Sequence, residues 1–299
     1  MHNFTANYEK ILEVLYRFAS ENVLPYQRRT PKLKDIEVVS LCLTAEYMII
    51  DSENHLFRLL PDFLKLKIER SVYNRRKRKL FPYLEHLRQR LSDCFNEFED
   101  CFIVDSMPLE ICKLSRSSRS RICKESSLSY PNKGYCAAQS KHYYGYKLHA
   151  VCSFNGVVKS LEITADSVHD IQYLKDIQHQ IKNCTLLGDR GYLSSGQQLN
   201  LFESCQIRLE VPMRKNQHNY IPQPYVFRKS RKRIETFFSQ LCDQFMIKRN
   251  YAKSFEGYKT RILSKITAVT VVQYINKFIF NKNINNIKSA LFKMHNGLY

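Results

Sequence analysis

The chain has 299 residues, with 47 Lys and Arg against 28 Asp and Glu, for a formal net charge of +19. Such an excess calls for a polyanionic partner, nucleic acid first and an anionic membrane surface second. No apolar stretch reaches the roughly 18–20 residues that cross a bilayer, and Asn3, Asn7, Glu9 and Glu13 interrupt what a secretory signal keeps apolar.

The length allows two domains, one with a sizeable core. The ten cysteines are scattered without a C-x-x-C pair, and Cys101, Cys152 and Cys184 lie in or beside apolar runs. This is the usage of reduced, buried thiols and not of a disulfide framework or zinc site. It points to a cytoplasmic protein, nucleoid-associated if the partner is DNA.

In chain order, Ile11, Leu12, Leu15, Tyr16 and Phe18 predict an amphipathic helix over about 8–20. A loop with Pro25, Arg28, Arg29 and Pro31 follows. Asp35 and Glu37 favour the start of the next helix through its macrodipole, and Ile36, Val39, Leu43 and Tyr47 carry its stripe. Leu56, Phe57, Leu59 and Leu60 form a short helix closed by Pro61. Ser71 is a candidate cap for a helix that carries Arg75, Arg76, Lys77, Arg78 and Lys79. Pro82 suits the first position of another, with Leu84, Leu87, Leu91 and Phe95 on one face.

Residues 1–98 therefore read as an all-helical domain. A basic run can be no more than a solvated helix face. Here Tyr73 and Asn74 precede it, short helices surround it and the whole chain is basic. The reading is a helix-turn-helix-like DNA-binding domain in which Arg75, Arg76, Lys77, Arg78 and Lys79 meet phosphates.

The texture changes after Glu97, Glu99 and Asp100. Residues 101–105 predict a strand. Residues 113–135, with Arg116, Arg119, Arg121, Lys124 and Lys133, read as a long loop, either functional or a solvated insertion. Residues 143–154 and 157–165 are strands joined at Asn155-Gly156, the strongest hairpin signal in the chain. A helix over 170–181, a strand over 184–189, a short helix over 194–205 and a strand over 207–212 follow. A proline-bearing loop, 214–224, leads to a helix with Ile234, Phe237, Phe238, Leu241 and Phe245 at helical spacing. A long amphipathic helix over 258–280 comes last, before a tail with Lys282, Lys288 and Lys293. Antiparallel strands followed by alternating helices and strands predict an α/β fold, a mixed sheet with helices on both faces.

Three acids stand out on these elements. Asp105 and Asp189 each end a short apolar run, and Glu235 sits on the helix among Arg231, Lys232 and Arg233. A lone Asp after a strand is more often a turn former or helix cap. In this order, on rigid elements of a basic chain, the three read as a carboxylate triad able to converge on hard divalent cations. Glu203, Glu210 and Asp243 compete for the third place, but Glu235 lies among basic residues that could meet DNA. Two ions about 3.5–4 Å apart can activate water, neutralise a phosphodiester and stabilise its leaving oxygen. Mg²⁺ suits such a site, because it keeps waters and binds through a few carboxylates plus substrate phosphate; Mn²⁺ is the expected substitute.

Val104-Asp105-Ser106, Tyr144-Gly145-Tyr146-Lys147-Leu148-His149, Val168-His169-Asp170, Gly188-Asp189-Arg190-Gly191-Tyr192 and Arg231-Lys232-Arg233-Ile234-Glu235 together resemble the DDE transposases of bacterial insertion sequences. Residues 33–39 and 73–76 are most similar to the family named for insertion sequence nine-eighty-two. The resemblance implies an RNase H-like catalytic domain over 99–299 that includes the C-terminal helix. It places Asp105 on the first strand, Asp189 on the fourth and Glu235 on the next helix as metal ligands. It also implies double-stranded DNA as partner, both element ends and target, and a homodimer or higher multimer to handle two ends.

The implied reaction frees a 3′-hydroxyl at the element's end and joins it to target DNA. It needs no nucleophilic Ser, Tyr or Cys, and His149 and His169 read as structural. Arg231 takes the place of a family Arg before the Glu, as a DNA contact, while Arg228 stands where a Tyr is usual and Cys242 where a Lys is usual. The alternatives are a metal-dependent nuclease or resolvase of the same fold, a catalytically silent DNA-binding protein, and a surface or scaffold protein that uses charge alone.

Overall fold

The computed structural model describes residues 3–19, 23–24, 30–95, 100–136, 140–213, 216 and 220–288. Pro25, Arg28, Arg29, Glu97, Glu99 and Lys293 lie outside the described residues. The chain forms two compact units, one of Met1–Phe95, Leu241–Ala252 and Glu256–Tyr299, the other of Asn96–Gln240 and Lys253–Phe255. The last helix thus packs with the first ones, although in sequence it follows the strands.

The second unit is built on a six-stranded sheet: β1 Cys101–Lys113, β2 Asn132–Cys136, β3 Lys141–Ser153, β4 Val158–Ala165, β5 Cys184–Leu187 and β6 Ile207–Glu210. The order is β2-β3-β1-β5-β6, with β4 also on β3. β1 and β3 pair antiparallel from Phe102↔Ser153 to Lys113↔Tyr143, while β5 and β6 continue the sheet in parallel. The far edge of β3 is shared. β2 takes residues 141–145, and β4 takes 146–152. Gly145 stands at the changeover, where an added Cβ would lie 2.2 Å from the Leu109 carbonyl oxygen; only glycine allows that approach. The β3–β4 turn closes through Gly156 N–H donating to Ser153 O at 2.9 Å, with Gly156 at φ 85°.

Three short helices flank this sheet in sequence: α7 Tyr173–Ile177, α8 Ser195–Cys205 and, longer, α9 Tyr225–Asp243. Tyr173, Leu174, Ile177 and Leu201 pack with Phe102, Val104, Val151, Leu186, Ile207 and Leu209 into one apolar core. Mixed sheet, strand order and flanking helices make an α/β, RNase H-like fold.

Several expectations need correction. β1 does not end at Asp105 but runs to Lys113, because β3 keeps pairing with it through Pro108 and Glu110, which break the apolar run. The expected loop over 113–135 contains 3₁₀ turns at Leu114–Arg116 and Ser127–Ser129 and the strand β2, so the strand before Asp189 is the fifth and not the fourth. The helix expected over 170–181 is a 3₁₀ turn, Asp170–Gln172, followed by the short α7.

The first unit is helical: α1 Phe4–Tyr16, α2 Asp35–Tyr47, α3 Glu53–Leu59, α4 Asp62–Lys65, α5 Arg70–Lys79, α6 Phe81–Asp93, and α10 Phe255–Tyr274 from Glu256 on. Ser71 lies inside α5 and does not cap it, and Pro82 is the second residue of α6. α10 was expected to be amphipathic, yet every residue from Ile262 to Tyr274 is buried. Its polar side chains bond to their own helix: Thr260, Ser264 and Thr267 donate to Glu256, Thr260 and Leu263 carbonyls at 2.6, 2.7 and 2.8 Å. Satisfied in this way, they tolerate burial.

Candidate active site

Asp105 and Asp189 are brought side by side by strand register. The β1–β5 ladder ends at Ile103↔Leu187, and each aspartate follows two residues later on its own strand line. β1 stays paired with β3 there, Asp105 opposite Ala150, so Asp105 is held on a continuous strand while its β5 side is open. Beyond β5 the chain turns away: Asp189 caps the 3₁₀ turn Arg190–Tyr192, its Oδ1 accepting from Gly191 N at 2.8 Å. Asp105 Oδ1 accepts from Ser106 N at 2.8 Å. Each carboxylate keeps its second oxygen outside these bonds.

Electrostatics ties the third acid to the pair. Burial pushes the Asp105 carboxyl up to about 7. The Ser106 N–H pulls it down, the charge of Asp189 pushes it up, Arg231 lowers it and Glu235 raises it again. Asp105 thus feels both other acids and Arg231. Glu235 is exposed on α9, one turn beyond the half-buried Arg231. Lys232 is exposed, and Arg233 Nε donates to Phe154 O at 3.2 Å, which ties α9 to the β3–β4 turn.

Among the described residues no three His, Cys, Asp or Glu side chains stand at metal-ligand spacing. The donor set nevertheless fits a hard divalent cation in its chemistry. It offers carboxylate oxygens only, on residues whose like charges act on one another, with Asp105 raised by that repulsion and by burial.

Beside Asp189 opens a cavity of about 540 Å³, lined by Arg190, Tyr220, Gln223, Arg228 and Arg231 among others. Both polar atoms of the Gln223 amide are buried without a partner among the described residues. Arg228, at the place where a Tyr was expected by resemblance, lies over the Tyr225 ring at 5.9 Å.

Sequence reasoning left a second group without a role. Asp170 Oδ1 accepts from Lys147 Nζ at 3.0 Å and lies 3.4 Å from Ser106 Oγ. Tyr192 is buried, and among the described residues its hydroxyl has no partner. Lys147 and Asp170 stand in quoted motifs, but only the register of β3 on β4 and the turn after β4 reveal that they meet. His149 is buried, its Nε2 2.9 Å from Thr164 Oγ1, and His169 caps the Asp170 turn through Nδ1 at 3.3 Å. Both placements are structural ones.

The basic run on α5 is divided by burial. Arg76 is buried, its guanidinium donating to Asp35 Oδ1 at 2.7 Å and to Leu33 O at 2.9 Å. Lys77 pairs with Glu53 at 2.7 Å and lies over the Tyr73 ring. Arg78 Nε donates to Asn74 O at 3.4 Å, and Arg75 and Lys79 are exposed. Among the described residues no helix is long and apolar enough to cross a membrane.

Neighbouring parallel strands carrying Asp105 and, just past β5, Asp189, on a sheet of this order, define a protein of the RNase H-like class. Residues 96–271 match the family model described as the transposase DDE domain. The match covers more than half of the chain, and the protein belongs to the DDE transposase family. No curated protein matches the sequence. Membership makes DNA the substrate class and divalent cations the general cofactor.

Proposed function

We propose that the protein cuts DNA at the ends of its insertion sequence and joins the freed 3′-hydroxyl to target DNA, with Asp105, Asp189 and Glu235 as its catalytic acids. The observation that supports this most is the placement of Asp105 and Asp189 two residues past the last β1–β5 pair, with the charge of Glu235 felt at Asp105. A protein gains nothing in stability from gathering like charges. A cation-binding role explains why they are gathered.

Two Mg²⁺ ions, or Mn²⁺ in their place, would lower the pKa of the attacking water and neutralise the phosphodiester. Asp105, Asp189 and Glu235 would hold them. Arg231, Lys232 and, less freely, Arg233 would meet the DNA backbone next to the acids, as charge-assisted donors to phosphate. Each step exchanges one P–O bond for another, first to water and then to the 3′-hydroxyl, so no side chain forms a covalent bond to DNA.

Residues 1–98 serve in this reading as the end-binding domain and 99–299 as the catalytic domain, with the last helix lending itself to the helical unit. Arg75, Arg78 and Lys79 would contact phosphates, while Arg76 and Lys77 support the helix from inside. Residues 33–39 and 73–76 favour the group named for insertion sequence nine-eighty-two. A homodimer or higher multimer would hold two ends, in the cytoplasm on nucleoid DNA.

The test incubates the purified protein with labelled DNA carrying the ends that flank its gene and a plasmid target, in Mg²⁺, Mn²⁺ or EDTA, with Asp189→Asn alongside. Metal-dependent nicking at the ends with joined product, lost in the variant, is the expected result. Nicking without joining moves the reading to a nuclease. Binding without cutting in any metal leaves a DNA-binding protein.

A further inference from the structure

A fourth carboxylate stands behind the acids, and it is already neutralised. Asp170 Oδ1 is paired to Lys147 Nζ at 3.0 Å, and Lys147 also donates to Val168 O at 3.1 Å. The same Asp170 oxygen lies 3.4 Å from the Ser106 hydroxyl, the geometry of a weak hydrogen bond. Ser106 in turn gives its backbone N–H to Asp105 Oδ1 at 2.8 Å. Asp170 also flanks Asp189: a Cβ added at Gly191 would lie 2.9 Å from Asp189 Oδ1 and 3.6 Å from Asp170 Oδ2.

Tyr192 is buried and belongs to the 3₁₀ turn that Asp189 caps. Among the described residues its hydroxyl has no partner, and beyond burial the charges that act on it first are those of Asp170, Asp105 and Asp189.

We propose that Asp170, fixed by Lys147, is a positioning residue that holds Ser106 and through it the Asp105 carboxylate, and so sets the affinity of the acids for their divalent cation. This deepens the proposed function and rests on it. The physical reason is division of labour. With its charge balanced by Lys147, Asp170 competes poorly for a cation, but it remains a fixed acceptor for Ser106. A serine anchored on its hydroxyl side presents its N–H in one direction. Asp105 is then oriented before any ion arrives. Removing a partner that orients a ligand in this way costs about 10–100-fold in metal affinity or activity.

The experiment uses the full chain as Ser106→Ala, Asp170→Asn, Lys147→Met and Lys147→Arg, beside the unmodified protein. Mn²⁺ binding is titrated by electron paramagnetic resonance of the free ion, which needs no turnover. Cutting of labelled ends is followed against Mg²⁺ concentration in parallel. Ser106→Ala and Asp170→Asn each weaken Mn²⁺ binding about 10–100-fold, and the Mg²⁺ needed for half-maximal cutting rises by the same factor. A chain carrying Ser106→Ala and Asp170→Asn together is no weaker than the weaker single variant, because both remove one linkage. Lys147→Arg keeps the affinity that Lys147→Met loses.

Ser106→Ala removes one hydroxyl from a half-buried site, so it also answers if the larger changes unfold the protein. Mn²⁺ affinity in Ser106→Ala within twofold of the unmodified protein overturns the proposal, as does a double variant whose losses multiply. If the unmodified protein binds Mn²⁺ but cuts nothing, the cut-and-join reading falls, and the Ser106→Ala titration still decides the role of Asp170. If the unmodified protein binds no Mn²⁺, the positioning role falls with it.

Discussion

The two units use charge in opposite ways. In the helical unit, buried charges meet their opposites: Arg76 meets Asp35, and Glu46 receives both Lys265 at 2.7 Å and Arg261 at 3.1 Å. In the sheet unit, Asp105 is pushed up to about 7 by burial and by the neighbouring Asp189 and Glu235, against the help of Arg231. A pair of opposites can be explained by folding alone, since breaking it leaves a buried charge uncompensated. A gathering of like charges cannot. The contrast separates charges that fold-building pairs account for from charges that the proposed cation-binding role would account for.

The largest expected effect lies on the like-charged side. Asp189→Asn lowers end cutting and joining by about a hundredfold to a thousandfold, the scale of losing one group that stabilises transition-state charge. Its thermal midpoint stays level or rises, because one repelling charge is gone. Calorimetry beside the cutting assay checks both. A fall in midpoint together with activity would make Asp189 a structural residue and erase the contrast.

Next comes the paired side. Glu46→Gln leaves Lys265 and Arg261 without their anion and costs about 3–5 kcal/mol, read from urea unfolding. Arg76→Met strands Asp35 and costs a similar amount. A loss under about 1 kcal/mol in both would show that the pairs only break even.

A smaller effect is set by pH. Burial holds the His149 imidazole down near 4, with Lys147 assisting and Asp170 resisting. An unfolded histidine titrates near about 6.5. Between these values the unfolded chain binds the extra proton. Stability therefore falls as pH drops from 6.5 toward 4, by about 2 kcal/mol at pH 5. Glu162 acts in the other direction: burial and the charge of Asp176 raise it to about 7. Its contribution is present below its unfolded value of about 4.3 and is lost as pH rises through 7. Denaturant midpoints of Glu162→Gln at pH 5 and 6.5 isolate the His149 slope; a flat response would refute it.

The smallest effect is that of Tyr192→Phe. It removes a buried hydroxyl without a partner, and stability rises by up to about 1 kcal/mol. Thermal unfolding without metal reads it.

What could be seen in the sequence was local. Asn155-Gly156 closes the β3–β4 turn because a φ of 85° at Gly156 is a property of that residue. The apolar runs before Asp105 and Asp189 are strands, and they pair in parallel up to Ile103↔Leu187. What stayed hidden depends on distant partners. Arg76 looked like its basic neighbours, and only Asp35 and Leu33, 41 and 43 residues away, make it interior. The length of β1 past Asp105 comes from β3 and not from its own Pro108 and Glu110. α10 read as amphipathic because Thr260, Ser264 and Thr267 look like a solvent face, whereas they bond to carbonyls one turn back. The link from Asp170 to Asp105 crosses from the turn after β4 to β1, which no spacing encodes.

The burial of α10 within the helical unit has a consequence in time. A ribosome makes α1–α6 first, yet the helix that fills their core emerges only after the whole sheet has been translated. Until then the nascent N-terminal helices lack their central partner, with Glu46 still waiting for Lys265 and Arg261. The sheet unit, contiguous but for Lys253–Phe255, can form earlier. The segment made first is thus finished last, and a chain cut short before α10 would carry the whole β-sheet but no completed helical unit.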